Sequence, residues 1–148
     1  MKGKKYISTP LKYYFTDLGL RNVLLNFRQY EETHLMENAI YNELRLRGWN
    51  VDVGMVVVNS RNEQGTSERK QLEIDFVCNK GSKRCYIQSA LSLPDREKMQ
   101  QEINSLHRID DSFQKIVVVG GNVKPWMDEN GILFLSVYDF MLNPESVL

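Results

Sequence analysis

Two cysteines and two histidines are all the thiol and imidazole metal ligands this chain has. Cys78 and Cys85 do not form a C-x-x-C motif, so a redox pair of that kind is excluded. A zinc site would need more ligands, and His34 and His107 lie far apart with no ligand spacing. Both thiols are therefore expected to be reduced and half-buried. An excess of charge is also missing. Nineteen basic and nineteen acidic residues cancel, which argues against a tight, non-specific nucleic-acid binder. No apolar run approaches the roughly 18 residues of a membrane helix. The opening Met1-Lys2-Gly3-Lys4-Lys5-Tyr6 has no apolar core of a signal peptide, and a cytoplasmic protein with no membrane partner is expected. There is no G-x-x-x-x-G-K-[ST] phosphate loop, no internal repeat and no low-complexity tract.

What is present fits a single globular domain. The chain has 148 residues, 42% of them hydrophobic and 26% charged. That length can bury a core without disulfide or metal staples. Residues 1–16 are basic, then aromatic, and read as a lead-in with a short strand at 12–16. Asp17 can cap a short helix from Leu18 to Leu25. Residues 31–47 carry Leu35, Ala39, Ile40 and Leu44 at helical spacing, with Thr33 as the expected N-cap and Gly48 as the stop. Strands are expected from Trp49 to Val58, around Asp75 (Leu72 to Cys78), and around Gln88 (Tyr86 to Ala90). Polar residues 59–70 read as an exposed turn. A helix from Asp95 to about Ile109 leads to a buried strand, Lys115 to Val119. A last strand, Gly131 to Val137, precedes a short helix, Tyr138 to Leu142. Strand–helix–strand alternation in the second half points to an α/β fold, a mixed sheet flanked by helices. The strand at 115–119 should lie parallel to that at 85–90.

The chemistry sits in the second and third strands. Period-two alternation puts Glu73, Asp75 and Val77 on one face, with Ile74, Phe76 and Cys78 on the other. Tyr86, Gln88 and Ala90 share a face on the next strand. If Asp75 and Gln88 point the same way, a carboxylate and an amide oxygen converge. Glu37, from the long helix, is the candidate for a third ligand. Such an oxygen set suits Mg²⁺, with water completing the shell. Phosphodiester cleavage also asks for a cation beside the attacking water. The expected position, two residues beyond Gln88, holds Ala90. Arg96 and Lys98 on the following helix are the nearby substitutes.

Several motifs occur in a recognisable order. They are Lys12-Tyr13-Tyr14-Phe15-Thr16-Asp17-Leu18-Gly19-Leu20-Arg21-Asn22, His34-Leu35-Met36-Glu37-Asn38 continuing through Tyr41, Glu43-Leu44 and Arg47-Gly48, then Glu73-Ile74-Asp75-Phe76-Val77 and Tyr86-Ile87-Gln88. Asp111-Ser112-Phe113-Gln114-Lys115 adds a segment like Asp-Asn-Tyr-Pro-Lys. From about residue 3 to 142 the chain resembles the C-terminal domain, of unknown function, of a large prokaryotic family of predicted AAA+-type ATPases. That domain is similar in fold to the PD-(D/E)XK, restriction-endonuclease-like nucleases. The resemblance implies that residues 1–25 are the tail of a preceding winged-helix region and 26–148 the nuclease-like domain. It implies an attached ATPase as partner, with this chain a C-terminal fragment. Glu37, Asp75 and Gln88 fall on the family's acidic and Glu/Gln positions; Ala90 departs from its lysine.

Three functions are therefore expected to compete. The first is a degenerate module with no cofactor, recognising nucleic acid or a protein; Lys2, Lys4, Lys5 and Lys12 would supply a local basic contact. The second is an active nuclease using Mg²⁺ at Glu37, Asp75 and Gln88 with a migrated lysine. The third is a structural or oligomerisation domain with Trp49, Trp126, Tyr13, Tyr14 and Phe15 at its interface.

Overall fold

The computed structural model describes residues 12–28, 31–61 and 67–147. In chain order the elements are α1 (Leu18–Leu24), α2 (Glu32–Leu46), β1 (Asn50–Arg61), β2 (Ser67–Lys80) and β3 (Lys83–Ala90). They continue with α3 (Arg96–His107), β4 (Gln114–Val119), β5 (Trp126–Met127), β6 (Ile132–Ser136) and α4 (Val137–Leu142). The strands form one open, mixed sheet in the order β1-β2-β3-β4-β6-β5. β1–β2 and β2–β3 are antiparallel pairs, β3, β4 and β6 run parallel, and β5 is antiparallel to β6. The fold is α/β, a six-stranded sheet flanked by helices. β3 and β4 are parallel, as expected, joined through α3.

Local chemistry sets the helix ends. The Asp17 carboxylate accepts from Leu20 N–H at 2.9 Å and opens α1. Asp95, after Pro94, accepts from Lys98 N–H at 2.8 Å and opens α3. Ser136 does the same for α4 through Asp139 N–H. Each satisfies a backbone donor that the first helical turn leaves free. Thr33 is not the cap of α2. The helix begins one residue before it, with Glu31 at the cap position and no side-chain bond there. Gly48 ends the turn with φ +79°, a conformation costly for residues with a Cβ.

Helices cover both faces of the sheet. On one side Ile40 and Leu44 of α2 and Phe140 of α4 pack on Phe76, Cys78, Ile87, Ile116 and Val118. On the other, Ile103 and Leu106 of α3 pack on Ile74, Tyr86, Ala90, Val117 and Phe134. The buried residues of α2 are Met36, Asn38, Ile40 and Leu44. Leu35 and Ala39 are only half-buried, so the buried stripe is rotated from the expected one.

The expected faces of β2 need correcting. Ile74 packs on the α3 side, whereas Phe76 and Cys78 pack on the α2 side. The reason is a β-bulge. Asp52 pairs with Val77 and Gly54 with Ile74, so Asp75 and Phe76 together oppose Val53. One extra residue reverses the side-chain parity along the strand. Gly54 permits it: a Cβ there would lie 2.7 Å from Val77 Cγ2 and 3.1 Å from Ile74 Cβ.

Three further expectations change. Residues 12–16 form no strand and instead lie along α2. β1 and β2 run on through much of the polar 59–70 segment, with 62–66 outside the described residues. The two-residue β5 was not expected. Cys78 and Cys85 sit directly opposite each other on β2 and β3, both free and fully buried. Their mutual hydrogen bond, and then burial, push the Cys78 thiol far up. Among the described residues no helix is long and apolar enough to cross a membrane.

Candidate functional site

Asn38 explains why the lead-in lies where it does. Its side-chain amide accepts from Phe15 N–H and donates to Phe15 C=O, both at 2.8 Å. A side chain thus reads the Phe15 backbone as a neighbouring strand would. Asn42 donates to the same carbonyl at 2.9 Å. The Tyr14 ring stacks on Tyr41 at 4.2 Å, and its hydroxyl donates to Glu37 Oε1 at 2.6 Å. Lead-in and helix motifs therefore meet as contact pairs.

This docking delivers Lys12 to the bulge. Its ammonium lies 2.8 Å from Glu37 Oε1 and 3.1 Å from Asp75 Oδ1, and also pairs with Glu73. Three carboxylates from α2 and β2 surround one cation. The side chains of Glu37 and Asp75 are only 16% and 12% exposed, whereas Glu73 is half exposed. Asp75 turns its other oxygen to Ser89 N–H at 2.9 Å. The β2–β3 ladder reaches only to Phe76 and Ile87, so the carboxylate takes up the backbone donor beyond it.

The electrostatics follow from burial and count. Desolvation raises the Asp75 carboxyl to about 6; the Ser89 N–H and the Lys12 charge pull it down, and nearby Glu37 pushes it up. Burial alone would lower Lys12, but its hydrogen bonds to Glu37 and Glu73 and the charge of Asp75 outweigh that and hold the ammonium firmly protonated. Tyr14 is raised by burial and by donating to Glu37.

The predicted residues are only partly brought together. Glu37 and Asp75 meet through Lys12. Gln88 lies beside Asp75, but its Oε1 accepts from Asp75 backbone N–H at 3.4 Å. Ala90 is buried in the α3-side core. Arg96 lines a separate, largely apolar crevice of about 480 Å³ with Met99, Val119 and Trp126. Lys98 pairs with Glu102 at 2.5 Å. Neither approaches the carboxylates. Lys12 is committed to the cluster rather than offered to a nucleic acid, and Lys2, Lys4 and Lys5 lie outside the described residues. Sequence reasoning missed Glu73 and Lys12 as members of the site.

A magnesium ion, which the resemblance implies, does not fit this arrangement. Lys12 holds the centre of the carboxylates, and Gln88 spends its oxygen on a backbone amide. Among the described residues no group of three or more His, Cys, Asp or Glu is placed to hold a metal ion. A cleft of about 230 Å³ opens beside Glu37, walled by Tyr13, Arg21 and His34. It is smaller than the apolar crevice, but it adjoins the converging charges and is the better candidate for function.

The expected interface aromatics divide. Trp49 is buried, Tyr14 is stacked in the site, and Trp126 stacks on Phe134 at 4.1 Å. Tyr13 is 78% exposed. Asp111 has a structural role: its carboxylate accepts from Tyr86 Oη at 2.6 Å and Phe113 N–H at 3.1 Å, fixing the entry to β4.

An uncharacterised protein of Haemophilus influenzae is 29% identical to this chain over 142 residues, which is 96% of the chain. The chain spans 31% of that relative's length. No protein-family model matches the chain, and no solved structure does.

Proposed function

We propose that this chain is a nuclease-like module that does not cleave, of the restriction-endonuclease-like class, carried by an AAA+-type ATPase and used to recognise a partner. The observation that carries the reading is Lys12: its ammonium occupies the place among Glu37, Glu73 and Asp75 that a catalytic cation would need. Ala90, buried among apolar side chains, supports it. The mixed sheet flanked by helices is compatible with the proposed fold. That the Haemophilus relative extends well beyond the matched region supports a module within a longer protein.

Three carboxylates around one ammonium leave the site acidic. This favours a protein partner over a phosphate backbone at this surface. The test is cleavage of DNA and RNA with Mg²⁺ or Mn²⁺, comparing wild type, Asp75→Ala and Lys12→Met. Binding of duplex and single-stranded DNA is measured alongside at several salt concentrations. The proposal expects no cleavage from any of the three proteins and no salt-dependent binding. Salt-dependent binding without cleavage would make nucleic acid the partner.

The same lysine favours a second reading. Lys12 touches Asp75, and so stands nearer the site than Arg96 or Lys98 as a migrated lysine. An active nuclease of that design would lose cleavage in both variants, whereas the first reading has none to lose.

A further inference from the structure

The two edges of the sheet are built differently. β5 is two residues long, which leaves little backbone open to pairing. β1 is twelve residues long and pairs only with β2 among the described residues. Its sequence, Asn-Val-Asp-Val-Gly-Met-Val-Val-Val-Asn-Ser-Arg, has no lysine or proline to block another strand. Because β2 pairs with β3 only from Phe76 onward, the outer part of β1 and β2 is a two-stranded arm. Such a ribbon gains from a third strand.

Side chains specify what that strand would be. Val53, Met55 and Val57 lie on one face of β1 and are 46%, 53% and 42% exposed. Val56 faces the other way, into the α3-side core. The exposed stripe is symmetric about Met55. The only charge between Val51 and Asn59 is Asp52.

We propose that β1 pairs antiparallel with β1 of a second copy of this chain, about a two-fold axis at Met55. A two-fold axis perpendicular to the sheet keeps each face on its own side, so only residues of like parity can oppose. Centring on Met55 sets Met55 against Met55 of the second copy and Val53 against Val57. All six stripe residues then cover one another. Asp52 falls opposite Val58, so no like charges oppose. The chain has no net charge, and two copies do not repel at long range.

The experiment is sedimentation equilibrium from micromolar to near-millimolar protein. Wild type should rise from the mass of one chain towards two. Met55→Lys sets like charges against each other at the axis and should weaken association more than about tenfold. At concentrations where wild type is a single chain, its unfolding midpoint should not move, because the side chain is exposed. Met55→Cys, under oxidised glutathione, should give a disulfide-linked dimer; Val53→Cys should not, since the two copies of residue 53 are offset. The cross-linking pair is informative even if Met55→Lys folds poorly. Wild type that stays a single chain throughout overturns the proposal. So does a dimer indifferent to Met55→Lys, or equal cross-linking at both positions.

Discussion

The two faces of the β2–β3 pair use neighbouring residues for opposite purposes. On the α2 face, Glu73, Asp75, Glu37 and Lys12 gather four formal charges in a half-buried cluster. On the α3 face, Ile74, Tyr86 and Ala90 join an apolar core. The difference shows what one inserted residue can do. The bulge at Asp75–Phe76 sends Ile74 and Phe76 to opposite faces. Glu73 thereby joins the carboxylates instead of meeting the α3 core. The three carboxylates on the α2 face are thus closed by the chain's own lysine.

Substitutions that move charge between the faces should break this contrast most. Ala90→Lys, which restores the expected nuclease residue, would bury an ammonium in the α3-side core. It should destabilise the protein by about 3–5 kcal/mol and leave cleavage absent. Urea unfolding and a nuclease assay check both outcomes. Lys12→Met leaves three carboxylates without their cation. It should cost about 2–3 kcal/mol, less than a deeply buried pair because Glu73 is half exposed and solvent screens it. The loss should shrink as pH falls and the carboxylates take up protons.

Asn38→Ala sharpens the comparison by releasing the lead-in without touching a charge. It removes both hydrogen bonds to Phe15 and should cost about 2 kcal/mol. Amide hydrogen exchange should show faster exchange at Phe15 N–H, with the α3 face unchanged. A further expected effect is one of slope. The Asp75 carboxyl is raised in the fold, to about 6 from 3.8. Its contribution to stability is therefore full below about pH 4 and is lost as pH rises through about 6. Thermal unfolding of wild type should show that decline, and Asp75→Asn should flatten it.

The fold was largely legible in the sequence because its elements are strongly periodic and well capped. Asp17, Asp95 and Gly48 mark helix ends by chemistry that acts locally, and the apolar run before Gly120-Gly121 marks β4. The candidate site was legible only in part. Glu37 and Asp75 stood out by type and order. Glu73 did not, although strict alternation sets it on the face of Asp75: which helix that face meets depends on the bulge, and the bulge follows from Gly54 on another strand. Lys12 lies 25 residues from Glu37. Its place depends on Asn38 and Asn42 gripping the Phe15 backbone, a tertiary contact that local patterns do not encode. The two-residue β5 is too short for periodicity to mark.

The central claim is that Lys12 supplies the cation of the carboxylate cluster. Carboxyl ¹³C chemical shifts of Asp75, followed against pH in wild type and in Lys12→Met, test it most directly. A wild-type midpoint near 6, moving clearly upward in the variant, is the predicted result. The same midpoint in both proteins, or one near 4 as for an exposed aspartate, would contradict it.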